Sequence, residues 1–185
     1  MARFAYTAPP RDWMNRWGED YAQALPYFEE AVQRTPRYAE AWFKVGVCNG
    51  ELGRWHEAVT AVQQAIRLKP DAAEAYFVLG SAYGELGRWQ EAVAALQQAI
   101  RLKPDDAEAY YNLGVAYGHL GHWHAAVAAL QQAIHLKSND AEAHLNLGVA
   151  YLILGDRDSA LEEYKILKTL DQNLANDLVG FISHR

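Results

Sequence analysis

Residues 73–104 read "AEAYFVLGSAYGELGRWQEAVAALQQAIRLKP". Tyr76, Leu79, Gly80 and Tyr83 recur at i, i+3, i+4 and i+7, which places them on one face of a helix. Ala92, Leu96, Ala99 and Ile100 do the same after the corner "GELGRW" at Gly84–Trp89. Gly87 is suited to ending the first helix because it tolerates positive φ. Pro104 ends the second. The stretch therefore predicts two helices of about 14 residues joined by a tight turn.

The same corner returns as "GELGRW" at Gly50–Trp55 and "GHLGHW" at Gly118–Trp123, at a spacing of 34 residues. A fixed period of this size marks a repeat architecture. Four copies start at Ala39, Ala73, Ala107 and Ala141. Glu51–Pro70 and Glu85–Pro104 agree at 17 of 20 positions, so each copy must form the same unit. Asp105 with Glu108, and Asn139 with Glu142, have the spacing of a capping box at the start of the next helix. Gly46, Gly80, Gly114 and Gly148 let the first helix of each unit lie against the second.

These positions resemble the tetratricopeptide repeat family. Copy two carries its pattern at Tyr76, Leu79, Gly80, Tyr83, Ala92, Leu96, Ala99 and Pro104. Copy three carries it at Tyr110, Leu113, Gly114, Tyr117, Ala126, Leu130 and Ala133, with Ser138 for the proline. Copy one has Val45 and Asn49 in place of Leu and Tyr. Copy four has His144 in place of the aromatic and Leu167 in place of an alanine. The resemblance implies an all-α solenoid, a short right-handed superhelix. Its parts are a partial repeat over 1–38, repeats over 39–72, 73–106, 107–140 and 141–172, and a capping helix over 173–185. Upstream, Ala24, Phe28, Ala31 and Pro36 match a second helix, with Pro26 either kinking it or marking a start near Leu25. Downstream, Leu174, Leu178, Phe181 and Ile182 share one face and are expected to cover the last repeat.

Composition narrows the function. The net charge of -6 and the lack of a basic stripe argue against nucleic acid. No apolar run approaches the length of a membrane span. The first residues hold no signal-peptide core, so a cytoplasmic chain is expected. The one cysteine, Cys48, stands where the other copies have Ala82, Ala116 and Ala150, and reads as a small buried thiol. There is no Gly-rich phosphate loop, no HExxH and no nucleophile elbow, so neither an enzyme nor a cofactor is expected.

The resemblance further implies that one face of each first helix lines a groove. That face holds Phe43, Phe77, Tyr111 and Leu145, then Val47, Ser81, Val115 and Val149, with Gly50, Gly84 and Gly118 as a track that admits a ligand backbone. Asn112 and Asn146 occupy a position where other arrays of the family hold an extended peptide. Lys44 and Val78 replace them in copies one and two. A branch of the family clamps a terminal carboxylate with cations, but here the corresponding sites hold Phe43, Val47, Val78 and Glu108. Glu40, Glu74, Glu108 and Glu142, joined by Glu51 and Glu85, form an acidic rim that suits a basic or amphipathic ligand, although a carboxylate there also stabilises its own helix start. The expectation is a non-catalytic scaffold that docks a protein or peptide partner in this groove. Two alternatives stay open: self-association into homo-oligomers, and a metal- or pH-responsive corner at His119, His122 and His124. No acid beside that corner completes a metal site, and none is expected.

Overall fold

The computed structural model describes residues 20–183. Among the described residues ten helices follow one another, most of them in antiparallel pairs. The first described helix is α1 (Tyr21–Arg34). Four pairs follow: α2 (Ala39–Glu51) with α3 (Trp55–Leu68), α4 (Ala73–Glu85) with α5 (Trp89–Leu102), α6 (Ala107–His119) with α7 (Trp123–Leu136), and α8 (Ala141–Leu154) with α9 (Arg157–Leu170). Helix α10 (Gln172–Ser183) follows the fourth pair.

Among the described residues each helix touches only its near neighbours along the chain, which is the contact pattern of a solenoid. Successive first helices meet, as α2 with α4, α4 with α6 and α6 with α8, whereas successive second helices do not. The first helices therefore lie on the inner, concave side. The core is a row of linked clusters rather than one centre, built from alanines and from Val62, Leu96, Leu113 and Leu130.

The corners follow from local chemistry. Gly87 has φ +68°, and its N–H donates to Gly84 O at 2.9 Å. Arg88 N–H reaches back to Tyr83 O at 2.8 Å, completing the two-bond cap that ends α4. Gly80 then allows close helix contact: a Cβ there would stand 2.6 Å from Leu96 Cγ.

Three expectations need correction. The helix starts are capped one residue later than the spacing suggested: Asp106 and Asp140, not Asp105 and Asn139, accept from Ala109 N–H and Ala143 N–H, both at 3.2 Å. Glu108 and Glu142 consequently fall at the second helical position, still inside the first turn where the helix dipole favours a carboxylate. Helix α1 starts at Tyr21, capped by Asp20, and runs through Pro26 rather than starting near Leu25. In α10, Leu178 and Ile182 are buried and Leu174 partly so, but Phe181 is 54% exposed.

Candidate functional site: the concave face

The ten groove candidates all lie on first helices and all are half-buried. Their surroundings differ. Phe43 packs against a cluster shared by the first and second pairs, and Phe77 against one shared by the second and third. Leu145 and Val149 pack against the cluster under α10. These four side chains therefore cement neighbouring units while presenting one side to the groove.

The polar candidates are tied across repeats. Asn112 Nδ2 donates to Ser81 Oγ at 3.2 Å. Asn146 Nδ2 donates to Tyr111 Oη at 3.1 Å, and Tyr111 in turn donates to Glu142 Oε2 at 3.2 Å. Burial, reinforced by Glu142, pushes the Tyr111 phenol up to about 12, so it keeps the proton this chain of bonds requires. Each asparagine spends one N–H internally. Its carbonyl and second N–H have no protein partner among the described residues, a set that matches a peptide backbone amide.

Three clefts repeat along this face. Each lies between one pair and the next, beside the tryptophan that opens a second helix. The first, of about 400 Å³, lies between Val47, Gly50, Glu51 and Trp55 on one side and Phe77, Val78, Ser81 and Glu85 on the other. The second, of about 260 Å³, is bounded by Ser81, Gly84, Glu85, Trp89, Asn112 and Val115. The third, of about 200 Å³, is bounded by Val115, Gly118, His119, Trp123, Asn146 and Val149. The glycine track belongs to these clefts in a way the sequence did not suggest. A Cβ on Gly50 or Gly84 would stand 3.4 Å from the Trp55 or Trp89 ring, an ordinary contact distance, so these glycines border a tryptophan of their own unit.

The histidine corner is not a cluster. His119 turns back and stacks on Trp89 of the preceding unit, rings 3.8 Å apart and 2° from parallel. His122 lies by Tyr117, at 6.2 Å. Among the described residues no three His, Cys, Asp or Glu side chains come together as metal ligands. Cys48 is buried, and desolvation raises its thiol to about 11, which disfavours nucleophilic chemistry.

One polar pair escaped the sequence reading. His144 is buried, with Nδ1 2.6 Å from Glu163 Oε2 and Nε2 3.0 Å from Ser138 O. It occupies the place of Trp42, whose Nε1 likewise donates to the carbonyl six residues back, at Pro36. Glu163 occupies the place of the buried Ala129. Both departures fall in the same repeat, and that coincidence was the available signal.

The helix pairs, the 34-residue period and the inner face define a tetratricopeptide-repeat solenoid, a protein-interaction scaffold. The profile of the cilia and flagella-associated protein 70 C-terminal domain, a family of such repeats, matches residues 14–177, and the chain belongs to it. No curated protein matches. Among solved structures, a crystal structure of MamA superposes with a TM-score of 0.82 at 29% identity, over 92% of this chain and 99% of that one. MamA from Desulfovibrio magneticus RS-1 gives 0.80 at 25% identity, over 88% and 91%. YrrB, described as a tetratricopeptide-repeat protein with an unusual peptide-binding site, gives 0.79 at 23% identity over 90% and 86%, a likeness of fold. No described helix is long and apolar enough to cross a membrane.

Proposed function

We propose that the concave face binds an extended segment of a partner protein and performs no catalysis. The observation that carries this reading is the threefold recurrence of one cleft, each with an aromatic wall and a half-exposed first-helix floor. A chain lying along α2, α4, α6 and α8 would seat side chains in the clefts and bond its backbone to Asn112 and Asn146. Glu40, Glu74 and Glu108 at the helix starts, all exposed, favour a basic segment by long-range attraction.

The test is a pull-down from native lysate, comparing the wild type with an Asn112→Ala, Asn146→Ala variant whose helicity is verified by circular dichroism. A partner retained by the first and lost by the second supports the reading. Equal capture sinks it and moves the site to another face. Self-association is the competing occupant of the same surface, and a molecular mass that rises with concentration, abolished by the same two substitutions, would favour it.

A further inference from the structure

The three clefts are equivalent in backbone but not in what covers their tryptophans. At Trp89 the cover is the His119 ring, in parallel contact. One unit earlier, the residue at the His119 position is Glu85, which is exposed and has no ring to lay on Trp55. Among the described residues Trp55 has no aromatic or cationic ring partner, and Glu51 and Glu85 have neither a hydrogen bond nor an ion pair. All three line the same cleft, the most spacious of the row. One wall of that cleft is thus a partly exposed indole resting on Gly50, flanked by two carboxylates from successive units.

Resting on the groove reading, we propose that this first cleft is a pocket for an arginine side chain of the partner segment. The guanidinium is flat and delocalised, and it stacks on indole as the imidazole of His119 does on Trp89. Its fork of N–H donors matches a carboxylate, supplied by Glu85 or Glu51. The aliphatic stem passes Val47, Phe77 and Val78. The second and third clefts do not repeat this set: His119 already covers Trp89, and the repeat position of Glu85 that follows Trp123 holds Ile153, which brings no carboxylate. The groove therefore reads a cation at one end and backbone amides, through Asn112 and Asn146, at the other. This gives the ligand a direction.

The experiment titrates ¹⁵N-labelled protein with N-acetylarginine amide and follows the indole N–H signals, Trp55 being assigned from a Trp55→Phe variant. A saturable shift at Trp55 is expected. The uncharged isostere N-acetylcitrulline amide should leave that signal in place, and N-acetyl-lysine amide should bind more weakly. Glu85→Gln should weaken arginine binding by about threefold or more, since it removes a charge-assisted bond at an exposed site. His119→Glu uncovers Trp89 and rebuilds the pair of the first cleft, so the Trp89 indole should then respond as well. No shift at Trp55, or an equal response to citrulline, overturns the proposal. An equal response to lysine overturns arginine as the class. A groove-binding partner that is lost with Asn112→Ala, Asn146→Ala but leaves the Trp55 indole unmoved would sink the pocket and spare the groove.

Discussion

Leu178 of the last helix fills the space beside Gly148: a Cβ on that glycine would stand 2.6 Å from Leu178 Cδ2. In the second and third repeats the same space is filled from within, by Leu96 beside Gly80 and Leu130 beside Gly114. The fourth repeat has Tyr164 at the corresponding place, and that side chain is only half-buried. Helix α10 is thus built into the last pair. Leu178→Ala should cost about 2–5 kcal/mol, the range for a fully buried leucine. Phe181→Ala, on the exposed side of the same helix, should cost well under 1 kcal/mol, as surface changes do. Chemical denaturation of the two variants checks the pair, and equal losses would mean that α10 does not pack as described.

The glycines of one helix carry opposite expectations. Gly114→Ala drives a Cβ to 2.6 Å from Leu130 Cγ, a branch point that cannot swing aside, so a loss of about 1–3 kcal/mol is expected. Gly118→Ala meets only the edge of Trp123 at 3.3 Å. The helix propensity gained, up to about 1 kcal/mol, offsets that contact and leaves the variant near neutral. Gly114→Leu should likewise harm folding more than Gly118→Leu. Thermal melts of the four variants decide, and a reversed order would mean the repeat register is wrong.

Much of this was legible from residues 73–104 and their recurrence at 34-residue spacing. The period, the helix pairs, the positive-φ glycines and the buried alanines all follow from local rules that repeat in register. What was not legible depends on contacts between units. Helix starts capped by Asp106 and Asp140 differ from the capping-box spacing by one residue, which is the usual uncertainty where propensity is flat. Asn112 and Asn146 read as ligand donors, yet each also anchors a hydroxyl of the preceding repeat, a partner 31 or 35 residues away. The third-copy histidines suggested metal because sequence shows composition before direction, and His119 points backward to Trp89.

His144 and Glu163 offer a double-mutant cycle. The Ser138 carbonyl only accepts, so Nε2 of His144 bears a hydrogen there, and Nδ1 faces the Glu163 carboxyl. His144→Ala leaves that largely covered carboxyl without its partner, a loss of about 1–3 kcal/mol beyond the packing lost. Restoring the consensus alanine with Glu163→Ala in the same chain should recover part of the stability. Urea titrations of both singles and the double should show a coupling of about 1 kcal/mol or more. Strict additivity would mean the two groups do not interact.

Cys48 gives a prediction in pH. Its thiol is raised from 9.0 to about 11, chiefly by burial. A raised value means that the folded chain holds the proton while the unfolded chain has released it. The contribution is therefore fully present below about pH 9 and is lost as pH rises through about 11. Two measurements follow. Stability of the wild type should fall between these limits faster than that of Cys48→Ala, in which the residue of the other three copies removes the titrating group. Iodoacetamide at pH 8 should modify Cys48 far more slowly in the folded chain than in urea, because the thiolate is both scarce and covered. Rapid alkylation of the native protein, with the helical signal intact, would mean that Cys48 is neither buried nor held neutral, and would undo the reading of this position as a stand-in for alanine.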